Sequence, residues 1–310
     1  MAANANRKPE KYAKIKDTNK YGYLFIAPFF IIFIVFNLYP TLNTIYLSFF
    51  NIAGFQTDGI FVGLNNYKNL LNNSLFIKSM TNTLLLWTIN FIPQIIISLI
   101  LAYWFTNARL NLKGQSFFKS AFYLPNIITA ASVAVIFYAL FSYPKGPINL
   151  LLINFGVLES PYDFFRNEAF TRGIVSFIQF WMWYGQTAIV LIAGILSIDR
   201  SLFEAAEVDG ATPWESFRKI TLPLLKPISL YVLITSLVGG LQMFDIPLLL
   251  TNGGPNGSVE TVMTYIYKQA FQGGRNISIA AAASIYLLIL TVVMSGIIFL
   301  LMKERNPKKD

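Results

Sequence analysis

From Phe177 to Ala188 the chain reads FIQFWMWYGQTA, and Phe180, Trp183, Tyr184 and Thr187 recur at i, i+3, i+4 and i+7, one face of a helix. Aromatic rings stack on the C–H faces of sugars, and hydroxyls supply hydrogen bonds. The stripe is therefore a first candidate for a wall that handles a polyol. Two other arrangements account for the same spacing: an aromatic belt at a membrane interface, and plain helix packing. With the outer end of this helix near residue 173, the cluster would lie one to two turns below a membrane surface, where a belt also sits. A second stripe, Ser236, Gly239, Gly240 and Met243, repeats the spacing. Paired glycines let a neighbouring helix come close, the commoner reason for them, or leave room for a substrate. Asp245, just before Pro247, is an ionisable group in an apolar stretch and hence a functional candidate, with hydrogen bonding to the adjacent loop as the other reading. Asn126, following Pro125, is open to the same two readings.

Other chemistry is short of material. There is no cysteine and no histidine, which excludes disulfides, thiolate metal sites and thiol nucleophiles and removes the commonest general base and metal ligand. No G-x-x-x-x-G-K-[ST] run occurs, and Lys113-Gly114 and Lys145-Gly146 have the order reversed, so no phosphate-cradling loop of that kind is present. We read no catalytic residue, no metal site and no cofactor held by this chain.

The elements that must carry these residues are membrane spans. Of the 310 residues, 55% are hydrophobic and 13% charged, and the mean hydropathy is +0.54. Those values describe a multi-pass membrane protein. Six apolar blocks, at about 23–50, 83–105, 118–141, 173–197, 228–250 and 280–302, each reach the roughly 20 residues a spanning helix needs. The first is too long for a signal-peptide core and is read as uncleaved, kinked or trimmed by Pro28 and Pro40. The fold class expected is thus an all-α, six-helix membrane protein, with a permease domain over 23–302 flanked by basic tails at 1–22 and 303–310. Of the 24 Lys and Arg, 17 fall in the two tails and alternate connections and 7 in the other connections. The positive-inside rule then places both termini and the 204–223 segment in the cytoplasm. The net charge of +9 is spent on topology and on anionic lipid at the tail, and the reading gives no nucleic-acid partner.

The longest charged run between two apolar blocks is EAAEVDGATPWESFRKITLP, residues 204–223. Ser201 and Glu204 have capping-box spacing for one short helix, and Asp209-Gly210 is a turn dipeptide. Thr212, Pro213 and Glu215 open a second helix, which Pro223 is expected to stop. Two capped helices about a glycine turn make a stiff knob. Its acidic residues, Glu204, Glu207, Asp209 and Glu215 among them, would be repelled by phosphate and disfavour a DNA-binding helix-turn-helix.

Glu204, Ala205, Ala206, Asp209, Gly210, Ala211, Phe217, Ile220 and Leu222-Pro223 resemble the "EAA" loop in membrane subunits of binding-protein-dependent ABC importers. FVGLNNYKNLL at 61–71, and TNGGP followed by YIYKQAF, resemble the larger, MalF-like permease of the carbohydrate branch. The resemblance covers about residues 55–300. It implies a coupling loop at 201–223 in which Glu204, Ala205, Ala206, Asp209 and Gly210 dock on a separate ATPase subunit. It also implies a second, related permease subunit as heterodimer partner, two ATPase subunits that bind the ATP and Mg, an extracellular solute-binding protein, and a sugar or oligosaccharide as cargo. The alternatives are an ABC permease for another solute, such as glycerol phosphate, polyamine or phosphate; an ion-coupled secondary carrier; and an integral-membrane enzyme. The last two would require several intramembrane carboxylates, or a nucleophile–base pair, that the sequence does not supply.

Overall fold

The computed structural model describes residues 19–52, 59–107, 110, 113–272 and 275–303. Residues 1–18 of the expected basic tail, Arg109, and residues 304–310 of the expected C-terminal tail lie outside the described residues. The chain divides into two units, Met1–Tyr46 and Leu47–Asp310.

The first unit is helical. α1 (Asn19–Phe33) runs into a π-helical turn, Ile34–Leu38, and on into α2 (Tyr39–Ser48). Pro28 lies inside α1 and Pro40 sits at the second residue of α2. The helical path is therefore neither cut nor trimmed at either proline. The wide turn ahead of Pro40 relieves the clash its ring would make with the carbonyl four residues back. Tyr21–Ser48 is apolar enough to cross a membrane, and nothing in its most apolar stretch is buried, as suits a helix whose solvent is hydrocarbon.

The second unit begins with a short antiparallel pair, β1 (Phe50–Asn51) against β2 (Ile60–Phe61), in the register Phe50↔Phe61 and Asn51↔Ile60. It is the one departure from an all-α fold among the described residues. Asn66, near the start of α3 (Asn65–Leu71), donates to the carbonyls of Ser48 and Phe50 at 2.8 Å each. α4 (Ser74–Thr106) is the longest helix, begun by Asn73, whose side chain accepts from the amides of Leu75 and Phe76. Its buried face carries Ser79, Asn82, Thr83, Asn90, Gln94 and Ser98, while Ile89, Ile92, Ile96 and Ile100 are exposed. That is the reverse of a helix in a water-soluble protein and what a lipid-facing span requires, because unpaired polar groups are costly in hydrocarbon.

The block expected as one span over 118–141 is two helices, α5 (Gln115–Ile127) and α6 (Ala130–Phe141), bent by 91°. The break falls after Pro125, at Ile128 and Thr129, whose extended backbone ends α5 while the Thr129 hydroxyl caps α6 by accepting from the amide of Ser132. Pro125 itself is accommodated inside α5. α7 (Pro147–Asn154) follows, and α8 (Glu168–Leu196) starts under an Asn167 cap. α9 (Arg200–Val208) and α10 (Pro213–Ser216) form the hairpin of the acidic segment. A second π turn, Phe217–Thr221, leads through α11 (Leu222–Leu224) into α12 (Lys226–Leu241). α13 (Asp245–Thr251), α14 (Val262–Phe271) and α15 (Ile277–Met302) complete the chain.

Among the described residues, five helical stretches are long and apolar enough to span a membrane, or six if the bent α5–α6 pair counts as one. Within the second unit three apolar clusters join its helices. Leu86, Val133, Ile178 and Ile246 link α4, α6, α8 and α13. Leu101, Leu191, Ile195 and Val232 bind α4 and α8 to α12. Phe76, Leu241, Tyr265 and Leu287 seat α14 and α15 against α4 and α12.

Candidate functional site

A cavity of about 150 Å³ opens between α4, α8 and α12. Six of the ten candidate pathway residues line it: Trp183, Thr187, Ser236, Gly239, Gly240 and Met243. With them come Asn90, Gln94, Gln179, Gln186, Tyr231 and Thr235. Asn90 lies at the centre of α4 and Ser236 close to the centre of the Lys226–Thr251 span. Trp183 stands fifteen residues into α8, which at about 1.5 Å per residue is roughly 22 Å from its start. α8 begins at Glu168 rather than near residue 173, and Trp183 falls near its middle, away from the helix ends where an aromatic belt sits.

The wall is built from hydrogen-bonded neutral groups. Gln94 donates to the Thr187 hydroxyl at 2.7 Å, joining α4 to α8, and both residues are buried. Asn90 donates its amide N–H to the carbonyl of Leu86 at 2.8 Å. A carbonyl can only accept, so the orientation of the Asn90 amide is fixed, with its own oxygen turned away from Leu86. Trp87 donates from its indole to Ser236 at 3.3 Å, joining α4 to α12. The paired glycines divide their labour. A Cβ on Gly240 would stand 2.1 Å from the Trp87 ring, whereas one on Gly239 would meet nothing within 4 Å. Gly240 is thus a close-approach glycine in the wall, and Gly239 faces the open cavity.

The other four candidates are elsewhere. Phe180 and Tyr184 stack on each other with centroids 5.4 Å apart, and Tyr184 also meets Phe122 of α5, which is helix packing rather than cavity lining. Asp245 is exposed in the first turn of α13, where its carboxylate complements the positive helix end. Asn126 is half-buried in the last turn of α5 and does not line the cavity. The aromatic and glycine patterns do not point to Asn90, Gln94, Gln179, Gln186, Tyr231 or Thr235. A sequence signal for two of them exists: Asn82, Asn90, Gln94 and Ser98 recur at multiples of four along an otherwise apolar α4, which puts amides and hydroxyls on one buried face.

The hairpin of the acidic segment lies beyond the far ends of α4 and α8. Its first helix does not start at Ser201: Asp199 is the cap and accepts from the amide of Ser201 at 2.9 Å. A carboxylate at the helix N-terminus gains from the dipole as well as the hydrogen bond, so the helix begins earlier than the capping-box spacing implies. Glu204 consequently reaches back to Arg200 at 3.0 Å, an exposed pair worth about 0.3–0.5 kcal/mol. The helix ends on Gly210, at φ +77°. Gly210 N–H bonds to Glu207 O and Ala211 N–H to Ala206 O, the pattern in which a left-handed glycine closes a helix. Thr212 and Glu215 form the expected capping box in full. These bonds pull the Asp199 and Glu215 carboxyls below the ordinary carboxylate range: for Asp199 through the backbone and hydroxyl of Ser201, and for Glu215 chiefly through Thr212 and secondarily through Lys219. Pro223 does not stop the second helix. Helical structure passes it through the π turn at Phe217–Thr221, and Leu225 N–H still bonds to Thr221 O at 2.8 Å.

Ala205, Asp209, Gly210 and Glu204 are exposed and Ala206 is half-buried. Val208 is 88% and Trp214 60% exposed beside them. Phe217 anchors the hairpin, packing edge-on against Tyr103 of α4 at 4.9 Å. A groove of about 440 Å³, lined by Thr106, Phe203, Glu204 and Pro213 among others, separates the hairpin from the ends of α4 and α8.

Residues 57–305 match the family described as binding-protein-dependent transport system inner membrane component. The lactose transport system permease protein LacF of Rhizobium radiobacter is 32% identical over 287 residues, 92% of this chain and 95% of that one. The arabinooligosaccharides transport system permease protein AraP of Bacillus subtilis (strain 168) is 35% identical over 277 residues, 88% of this chain and 85% of its own length. A crystal structure of a bacterial ABC transporter involved in the import of the acidic polysaccharide alginate contains a chain of the same fold. It has a TM-score of 0.80 and 26% identity, covering 94% of this chain and 97% of that one. With a family match over residues 57–305 and relatives aligned along nearly their whole length, the chain belongs to the binding-protein-dependent transport system inner membrane components, multi-pass proteins of the membrane.

Proposed function

We propose that this chain is one permease subunit of an ATP-driven importer for a sugar or oligosaccharide and forms half of the translocation pathway. The observation that carries this reading is the cavity at the centre of α4, α8 and α12, where an indole and a set of amides and hydroxyls meet at membrane depth. Trp183 is 45% exposed, and a large exposed indole flanked by hydrogen-bonding groups suits the alternating C–H faces and hydroxyls of a pyranose. Exposed polar groups at that depth do not face lipid, so a second, related permease closes the pathway from the other side.

The hairpin at 201–223 is the handle. With both termini and the hairpin in the cytoplasm, as the charge asymmetry directs, it docks on one of two separate ATPase subunits, which hold the ATP and Mg. Glu204, Ala205, Ala206, Asp209 and Gly210 are the docking residues. A helix pair closed by a left-handed glycine and a full capping box moves as a unit, so displacement of the ATPase passes to α12 through the π turn. The pathway then alternates between inward and outward openings, and an extracellular binding protein delivers the cargo.

Co-purification tests the assembly. The chain expressed with its genomic neighbours is expected to bring down an ATPase and a second permease, and transport by this chain alone in liposomes would reverse the reading. Trp183→Ala is expected to reduce uptake of labelled sugar while the ATPase still co-purifies. Loss of assembly instead would assign Trp183 to packing.

A further inference from the structure

We infer that the wall this chain gives to the cavity selects uncharged glycosides and rejects acidic sugars and sugar phosphates. The inference rests on the sugar-import reading and sharpens its cargo. Among the described residues, the cavity lining contains no Asp, Glu, Lys or Arg. The exclusion extends well beyond the lining. Residues 79–106 of α4 and 173–198 around α8 carry no charged side chain, and residues 227–251 carry only Asp245. Cations flank these stretches only at helix ends. Lys78 donates to the carbonyl of Asn256 at 2.6 Å and Arg172 to the carbonyl of Ser258 at 3.0 Å. At the opposite end Arg200 pairs with Glu204, and Lys226 is the first residue of α12.

An anion brought to this depth therefore loses its hydration with no positive charge from this chain to replace it, and unpaired buried charge is among the most costly arrangements in a protein. The polar atoms present are neutral. Asn90 has one N–H committed to Leu86 and Gln94 one to Thr187, so each amide keeps its oxygen as an acceptor and its second N–H as a donor. Thr235 donates to the carbonyl of Tyr231 at 2.8 Å, leaving its oxygen to accept. A sugar hydroxyl, which both donates and accepts, can use both kinds of group, whereas a carboxylate or phosphate oxygen can use only the donors and meets no full positive charge among them. The one ionisable carboxylate on the α12–α13 path, Asp245, adds a charge of the wrong sign for an anionic cargo.

The test uses the complete assembly, purified without its binding protein so that the permease's own preference is read. Equilibrium binding is measured for lactose, maltotriose and arabinotriose, and for an alginate trisaccharide and glycerol 3-phosphate. At least one neutral probe is expected to bind at least about tenfold more tightly than either anion, a gap of about 1.4 kcal/mol. Thr235→Lys and, separately, Gln186→Lys are expected to narrow or invert that ratio while the subunits still co-purify. Equal or tighter binding of an anionic probe by the unmodified assembly would overturn neutral selection but leave the sugar reading standing. Binding of none of the five probes would overturn both. An unchanged ratio in an assembled lysine variant would show that the wall does not set the selectivity.

Discussion

The two ends of the α12–α13 path are built on opposite plans. At one end, residues 252–260 are held by side chains from three other helices: Lys78 and Asn82 of α4, Arg172 of α8, and Lys268 of α14 all donate to carbonyls of that loop. Asn256 adds a bond to Glu168, and Lys268 a 2.8 Å pair with Glu260. At the other end, the hydrogen bonds of the 199–221 hairpin described above close within the hairpin, and an aromatic contact and a π turn connect it to the bundle. The first plan locks a loop to the spans. The second closes its described hydrogen bonds within the part and seats it on the spans through Phe217 and the π turn. Stiffness within an element and stiffness between elements are separate properties, and the coupling role proposed for the hairpin needs the first more than the second.

The largest expected effect comes from spoiling the internal stiffness. Gly210→Val places a β-branched residue at a left-handed position, at a strain of roughly 1–2 kcal/mol, and is expected to abolish uptake while the chain still inserts. Normal uptake with normal membrane levels would remove the coupling role. Next comes the locked end. Asn82 is 3% exposed and donates to both Gly257 O and Glu260 O; Asn82→Ala is expected to cost about 1–3 kcal/mol, read as a lower unfolding temperature and faster amide exchange over residues 257–262. Exchange in the hairpin should not change, and a change there would break the distinction between the two ends. Arg172→Ala, on the half-exposed side of the same loop, should cost about 1 kcal/mol by the same assay.

The smallest effect is a pH response confined to the hairpin. The Asp199 and Glu215 carboxyls lie below their ordinary values of 3.8 and 4.5, so their capping contributions are fully present above those values and are lost as pH falls through the lowered folded-state values. Protection of the Ser201 and Glu215 amides should therefore persist at pH 5 and above and decline only in stronger acid. Decline near neutrality would point to another cause.

Much of this was readable in the residues. Apolar blocks give the spans because hydrocarbon demands a minimum run, and Thr212, Pro213, Glu215 and Gly210 each announce their position through local chemistry. Readings failed where two local signals competed. Ser201 has capping-box spacing, yet Asp199 two residues earlier is the stronger cap. Pro223 reads as a stop and Pro40 as a kink or trim, yet each follows a π turn that carries the helix past it. Within the candidate site, spacing put Phe180 and Tyr184 on one face with Trp183, but it could not tell which part of that face met α5 and which met the cavity. The amides of α4 were missed for the same reason: their partners, Thr187 above all, are distant in sequence and meet them only in the packed bundle.

The π turn at Phe217–Thr221 holds one residue more than the α-helical path it replaces. Removing one residue there would let the path rewind as ordinary α-helix and nearly keep the hairpin's azimuth. Removing one from the regular helix of α12 would instead swing the hairpin by roughly 100° about that axis. Only the second deletion would point Val208 and Trp214 in a new direction.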